Sequence, residues 1–205
     1  MAQKVRDKSR DLILRYFEQP GVRLLNLLGF SPNMVTVLGL IIVMASAATV
    51  SLGHLTYGGG IFLAGSILDM FDGSLARLTN RVTVFGSLLD SLFDRIGEGF
   101  IFLSLAIYGV RINPDERDLV LYFILLIVAL GASQCVSYLR AKGEALSINT
   151  RGGLMTRPER VLLLSLGLLW GDNIITWVLG IIAVLSVWTL FTRVMIIRRE
   201  VHGLE

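Results

Sequence analysis

The chain has 205 residues, of which 54% are hydrophobic and 17% charged, with mean hydropathy +0.69 and net charge +3. Soluble domains carry about 25% charged residues, so this composition excludes an ordinary soluble enzyme, a disordered regulator and a fibrous repeat, and marks an integral membrane protein. A single cysteine, Cys135, excludes an internal disulfide framework, and two scattered histidines, His54 and His202, exclude a histidine-ligated metal centre.

Along residues 1–33, Lys4, Arg6, Lys8, Arg10, Arg15 and Arg23 alternate with apolar residues at helical spacing, as in Leu24, Leu27 and Leu28. No uninterrupted apolar run follows the early charges, so the segment is not a cleavable signal peptide. It predicts one or two amphipathic stretches in the membrane interface, broken at Pro20-Gly21. Six apolar blocks follow, at about 34–52, 58–78, 84–110, 119–139, 161–170 and 174–197. The first comes after the helix-start signal Ser31-Pro32-Asn33, and the short fifth gains a turn from Pro158 and Glu159. The expected fold is all-α: a six-transmembrane-helix bundle over 34–205, preceded by an interfacial amphipathic segment over 1–33.

The basic residues sort by side. The N-terminal segment, the second and fourth links and the tail hold 16 of the 19, whereas the opposite side holds only Arg111 and Arg117, and Arg95 lies inside a span. This asymmetry predicts cytoplasmic termini, and it assigns the positive charge to membrane topology rather than to nucleic acid.

Two blocks carry charges where lipid disfavours them: Asp69, Asp72 and Arg77 in the second, and Asp90, Asp94, Arg95 and Glu98 in the third. Each ionisable group at membrane depth costs roughly 2.5–3.5 kcal/mol on insertion scales. Asp69 and Asp72 are three apart and Asp90 and Asp94 four apart, so each pair shares a helix face. A short link containing Thr79-Asn80-Arg81 makes the two helices antiparallel neighbours, so four carboxylates can converge near the cytoplasmic end. Such a cluster repels itself unless cations hold it, and hard oxygen ligands suit Mg²⁺, Mn²⁺ or Ca²⁺. Two divalent ions bridged by shared carboxylates are one solution, and that arrangement serves phosphoryl transfer. Structural salt bridges to Arg77, Arg81 and Arg95 are the alternative. Gly73 and Ala76 leave their face without bulk, so a base or a diphosphate can approach the backbone.

Written as one string, Asp69-x2-Asp72-Gly73-x2-Ala76-Arg77-x8-Gly86-x3-Asp90-x3-Asp94 resembles the complete signature of the CDP-alcohol phosphotransferase family, with no departure at its eight positions. The resemblance implies a six-span membrane enzyme in which an alcohol attacks a CDP-linked donor and CMP leaves. It further implies that Asp69, Asp72 and Asp90 hold divalent metal, two Mg²⁺ or Mn²⁺ ions, with Asp94 near the second ion and acting as general base. Gly73 and Arg77 would lie against the CDP moiety, and Ala76 and Gly86 would make room for cytidine. Asn33, Met34, Val35 and Thr36 resemble a donor-contacting element, and Thr83 occupies a position near the donor. A homodimer is usual in the family.

The acceptor is read from Ser137-Tyr138-Leu139-Arg140-Ala141-Lys142 and from Thr156-Arg157-Pro158-Glu159-Arg160, which is preceded by Arg151-Gly152-Gly153. Binding a phosphate on the acceptor takes two or three such cations. The charge is equally what a cytoplasmic loop carries. These stretches resemble the bacterial and archaeal phosphatidylinositol-phosphate synthase branch, which joins CDP-diacylglycerol, or its ether-lipid equivalent, to inositol phosphate. The resemblance implies Arg140, Arg157 and Arg193 as acceptor-phosphate ligands, with Lys142 and Arg160 beside them. A phosphatidylglycerophosphate synthase, using glycerol phosphate, is the nearest alternative. A membrane prenyltransferase would release pyrophosphate instead of CMP, and a cation transporter would line a path with its acids rather than cluster them at one end.

Overall fold

A computed structural model describes residues 18–112, 115–148, 150 and 152–202. The amphipathic stretch expected before residue 18, with its five basic residues, and Arg151 lie outside them. The described residues form seven α-helices: α1 (Gln19–Leu27), α2 (Pro32–Ser51), α3 (Leu55–Leu78), α4 (Val84–Ile112), α5 (Glu116–Ala145), α6 (Arg157–Trp170) and α7 (Asp172–His202). Six of them fall on the six apolar blocks.

Local chemistry sets the ends. Pro20 occupies the first turn of α1, where no backbone donor is lost, and does not interrupt it. The Ser31 hydroxyl accepts from Met34 N–H at 3.3 Å, so the expected start signal does open α2. Asp115 caps α5 by accepting from Arg117 N–H. Thr156 and Glu159 form a capping box at α6, with Pro158 in its first turn. Gly29 and Gly53 take positive φ at 77° and 98° and close α1 and α2 with left-handed caps.

Helices α2, α5 and α7 are long and apolar enough to cross a membrane by length and composition. At 14 residues α6 is about 21 Å long, short of a hydrocarbon core of about 30 Å. Helices α3 and α4 have 24 and 29 residues, which is length enough, but they carry the carboxylates. Large apolar side chains stay exposed in stripes, such as Val37, Ile41 and Met44 on α2 and Trp177, Ile181, Val184 and Trp188 on α7. Apolar exteriors of that extent belong in lipid rather than water.

The chain divides into two compact units. In the first, made of the described residues up to Val43 and Ala64–Gly97, α1 docks through Val22 on Val35 and Leu75, with Leu25, Phe30, Leu68 and Phe71 around them. A Cβ on Gly21 would stand 2.8 Å from the Phe71 ring, so the close approach needs glycine. The other face of α1 leaves Leu24, Leu27 and Leu28 exposed. In the second unit, Met44–Leu63 with the residues from Glu98 onward, α5 and α6 both pack on α7. Tyr122 lies against Gly109 and donates to the Leu105 carbonyl at 2.9 Å. Tyr108 hydrogen-bonds Asp172 at the start of α7.

Candidate active site

Helices α3 and α4 are joined by the tight turn expected from Thr79-Asn80-Arg81. Asn80 has φ 54°, and Arg81 N–H reaches back to the Ala76 carbonyl at 2.9 Å, which ends α3. Thr83 then opens α4, its hydroxyl accepting from Gly86 N–H at 3.0 Å.

The reversal brings three carboxylates together. One oxygen each from Asp69, Asp72 and Asp90 lies within 4.8 Å of the others. Asp69 and Asp72 are buried, at 8% and 7% exposure. Asp72 is oriented by Thr36, whose hydroxyl donates to its Oδ2 at 2.6 Å. Gly39 of α2 lies against Asp69, where a Cβ would stand 3.4 Å from the Asp69 Cβ, an ordinary contact distance. Three acceptor-only groups crowded together match a hard divalent cation, and nothing in the donor set calls for a softer metal. The residues therefore fit Mg²⁺ or Mn²⁺.

Beside the carboxylates lies a cleft of about 310 Å³. Its walls include Asn33, Thr36, Asp72, Gly73, Ala76, Arg77, Thr83, Gly86 and Asp90, all singled out from sequence. Pro32, Arg81, Val82 and Ser87 also line it. Sequence reading noted Arg81 only as a counter-charge, although its place in the turn between two acidic helices was the available signal. At Gly86 a Cβ would stand 3.0 Å from the Thr83 hydroxyl and 3.2 Å from Asn33 Oδ1, so the wall is shaped by its absence. Met34 and Val35 do not line the cleft. Val35 is buried against Val22 and Leu75, and Met34 is exposed, because successive helical residues point about 100° apart. Asp94, one turn beyond Asp90, is half-buried and outside the cleft lining.

Arg77 is largely exposed. Its Nη2 donates to Ser74 Oγ and stands 3.7 Å from Glu18 Oε1, a carboxylate that precedes α1 and that sequence reading passed over. Its side chain therefore starts from a position held between α1 and α3, beside the cleft.

The residues expected for the acceptor lie in the second unit. Arg140 is exposed and pairs with Glu144 at 3.0 Å, one turn on. Lys142 is exposed and Arg157 half-buried. Arg160 and Arg193 are buried, at 1% and 3% exposure. Arg193 donates to the Gly152 and Val136 carbonyls at 3.1 and 2.7 Å, and Arg160 binds Glu98 through two hydrogen bonds. Both guanidinium groups are thus engaged with the protein itself, which spacing in the sequence did not indicate.

These features have counterparts in known proteins. The profile of the CDP-alcohol phosphatidyltransferase family matches residues 30–189. The phosphatidylinositol phosphate synthase of Mycolicibacterium smegmatis is 32% identical over 188 residues, covering 86% of this chain and 82% of that protein. The crystal structure of the Mycobacterium tuberculosis phosphatidylinositol phosphate synthase with CDP-DAG bound has 29% sequence identity and a TM-score of 0.76, covering 87% of this chain and 92% of that one. The same enzyme in complex with manganese and citrate gives 29% identity and a TM-score of 0.77, with 88% of each chain covered. With the profile running from the start of α2 well into α7 and taking in every carboxylate of the cluster, the chain belongs to the CDP-alcohol phosphatidyltransferase family.

Proposed function

We propose that the protein is a phosphatidylinositol-phosphate synthase, which transfers the phosphatidyl group of CDP-diacylglycerol, or an ether-lipid equivalent, to a hydroxyl of inositol phosphate and releases CMP. The observation that carries this reading is the convergence of Asp69, Asp72 and Asp90 beside a cleft walled by Gly73, Ala76, Arg77 and Gly86. The two enzymes named above, both phosphatidylinositol phosphate synthases, support the choice of acceptor.

Asp69, Asp72 and Asp90 would hold divalent cation, with Asp94 near a second ion. Bound divalent cations would neutralise the donor diphosphate and the departing CMP phosphate. Thr36 holds the Asp72 carboxylate in one orientation. Asn33, Gly73, Ala76, Thr83 and Gly86 shape the space for the CDP moiety, and Arg77 turns its guanidinium to the diphosphate. The acceptor hydroxyl oxygen forms a bond to the phosphorus that bears diacylglycerol. The bond from that phosphorus to the CMP phosphate oxygen breaks, and CMP leaves with the electron pair. The hydroxyl proton goes to Asp94 as general base. Arg157, with Arg140, Lys142 and Arg193 in support and Arg160 beside them, binds the phosphate of inositol phosphate and so fixes which hydroxyl is presented.

The same reading places six helices, α2 to α7, across the cell membrane with both termini and the cleft on the cytoplasmic side, in accord with the charge asymmetry. Helix α1 lies in the interface, its exposed Leu24, Leu27 and Leu28 turned to lipid. Residues 1–33 form that interfacial segment and 34–205 the catalytic domain, and the enzyme works as a homodimer.

An acceptor panel tests the function. Purified protein is given CDP-diacylglycerol, Mg²⁺ and, in turn, inositol phosphate, free inositol, glycerol phosphate or serine, and CMP release is followed. Inositol phosphate is expected to support turnover well above the others. Preference for glycerol phosphate would replace this function with phosphatidylglycerophosphate synthesis.

A further inference from the structure

Arg160 is the largest fully buried side chain among the described residues, and it is a cation. Its Nε donates to Glu98 Oε1 at 2.7 Å and its Nη2 to Glu98 Oε2 at 3.2 Å, a two-pronged pairing of guanidinium and carboxylate. Nη2 also donates to Ser137 Oγ of α5 at 3.2 Å. The Arg160 side chain is 1% exposed and that of Glu98 12%.

A buried ion pair is weak evidence for stability, because apolar residues of similar volume can often replace it without loss. What it supplies is direction. A planar fork on a carboxylate restricts the rotation of the helix that carries it. Arg157 stands three residues before Arg160 in the first turn of α6, so the two project to the same side of that helix. The segment leading into that turn is held as firmly. Leu154 and Met155 N–H groups both donate to Thr189 Oγ1, at 3.2 and 3.0 Å, and Arg193 takes the Gly152 carbonyl. The Thr156–Glu159 capping box closes the turn itself. Each of these contacts holds the backbone from which Arg157 departs, and the Glu98–Arg160 pair is the one in the set formed by two charged side chains.

We infer that Glu98 is a positioning residue for acceptor recognition: by clamping Arg160 it sets the rotation of α6, so that Arg157 meets the acceptor phosphate. This rests on the proposed role of Arg157 toward inositol phosphate. It gives Arg160 a role through Glu98 instead of as a direct phosphate ligand.

The test uses the full chain in detergent with Mg²⁺, comparing wild type, Glu98→Gln, Glu98→Asp and the double replacement Glu98→Leu with Arg160→Met. CMP release is measured while inositol phosphate and CDP-diacylglycerol are varied separately, and thermal unfolding is recorded. Glu98→Gln should raise the KM for inositol phosphate about tenfold to a hundredfold, the scale set by a small misplacement of a binding group. The KM for CDP-diacylglycerol should stay within about twofold, since that is the resolution of such a comparison. Glu98→Asp, which keeps the charge, should recover part of the loss. The double variant should unfold near the wild-type temperature yet keep the raised KM. An unchanged KM in Glu98→Gln, an equal loss for both substrates, or a double variant with wild-type KM would each overturn the inference. Failure of the underlying acceptor assignment is separate, because it would show in the wild type alone as turnover of free inositol equal to that of inositol phosphate.

Discussion

Thr36→Val removes one hydroxyl and little else, since the two side chains have nearly the same shape. Thr36 Oγ1 lies 2.6 Å from Asp72 Oδ2 and 3.1 Å from the Pro32 carbonyl, and its single proton favours the shorter, charge-assisted contact. A hydrogen bond to a charged group contributes about 1.5–3 kcal/mol, equivalent to roughly tenfold to a hundredfold in an equilibrium constant. Partners that orient a metal-binding carboxylate have effects of the same size on metal affinity. The half-saturating Mg²⁺ concentration for CMP release should therefore rise about tenfold to a hundredfold in Thr36→Val. Excess Mg²⁺ should restore most of kcat, and Thr36→Ser should resemble wild type. The assay is a Mg²⁺ titration of initial rates at saturating CDP-diacylglycerol and inositol phosphate. A half-saturating concentration within about twofold of wild type would refute the coupling of Thr36 to metal, given the size of the lost bond. A changed KM for the donor alone would assign the hydroxyl to CDP-diacylglycerol.

Chelation should abolish CMP release, and Asp69→Asn, Asp72→Asn and Asp90→Asn should each lose nearly all turnover, because each removes charge from a site built on charge; activity surviving a chelator would contradict this. Asp94→Asn should stop transfer while donor binding, followed by calorimetry, stays largely intact. Equal loss of donor binding would make Asp94 an essential metal ligand. Arg157→Ala should raise the inositol phosphate requirement about tenfold to a hundredfold, from the loss of one charged hydrogen bond, and leave that for CDP-diacylglycerol nearly unchanged. If Arg157→Ala and Arg140→Ala both keep wild-type acceptor dependence, the basic loop is a topology signal alone. Gly109→Ala would place a Cβ 2.2 Å from Tyr122 Cε1, whereas at Gly60 a Cβ meets nothing within 4 Å. The first should destabilise by about 1–3 kcal/mol and lower the unfolding temperature, while Gly60→Ala should not.

The sequence by itself determined the features that depend on neighbours along the chain. Helical spacing alone puts Asp69 with Asp72 and Asp90 with Asp94, and a link of five residues, 79–83, folds α3 back along α4. Capping is equally local, so Ser31 and the first turn through Pro158 and Glu159 were legible as helix starts. The six apolar blocks coincide with the helices α2 to α7, and in α2, α5 and α7 the run is long and apolar enough to cross a membrane. Tertiary structure decided which groups meet across helices. Thr36 reaches Asp72 across 36 positions, Arg160 reaches Glu98 across 62 and Arg193 reaches Val136 across 57. No local period encodes such pairings, because they depend on the rotation and depth of each packed helix. The four-residue stretch from Asn33 to Thr36 shows the division within one turn: Asn33 and Thr36 line the cleft, and Val35 enters the core. The helical period separates those faces, but only packing against Val22 and Leu75 settles which of them turns inward.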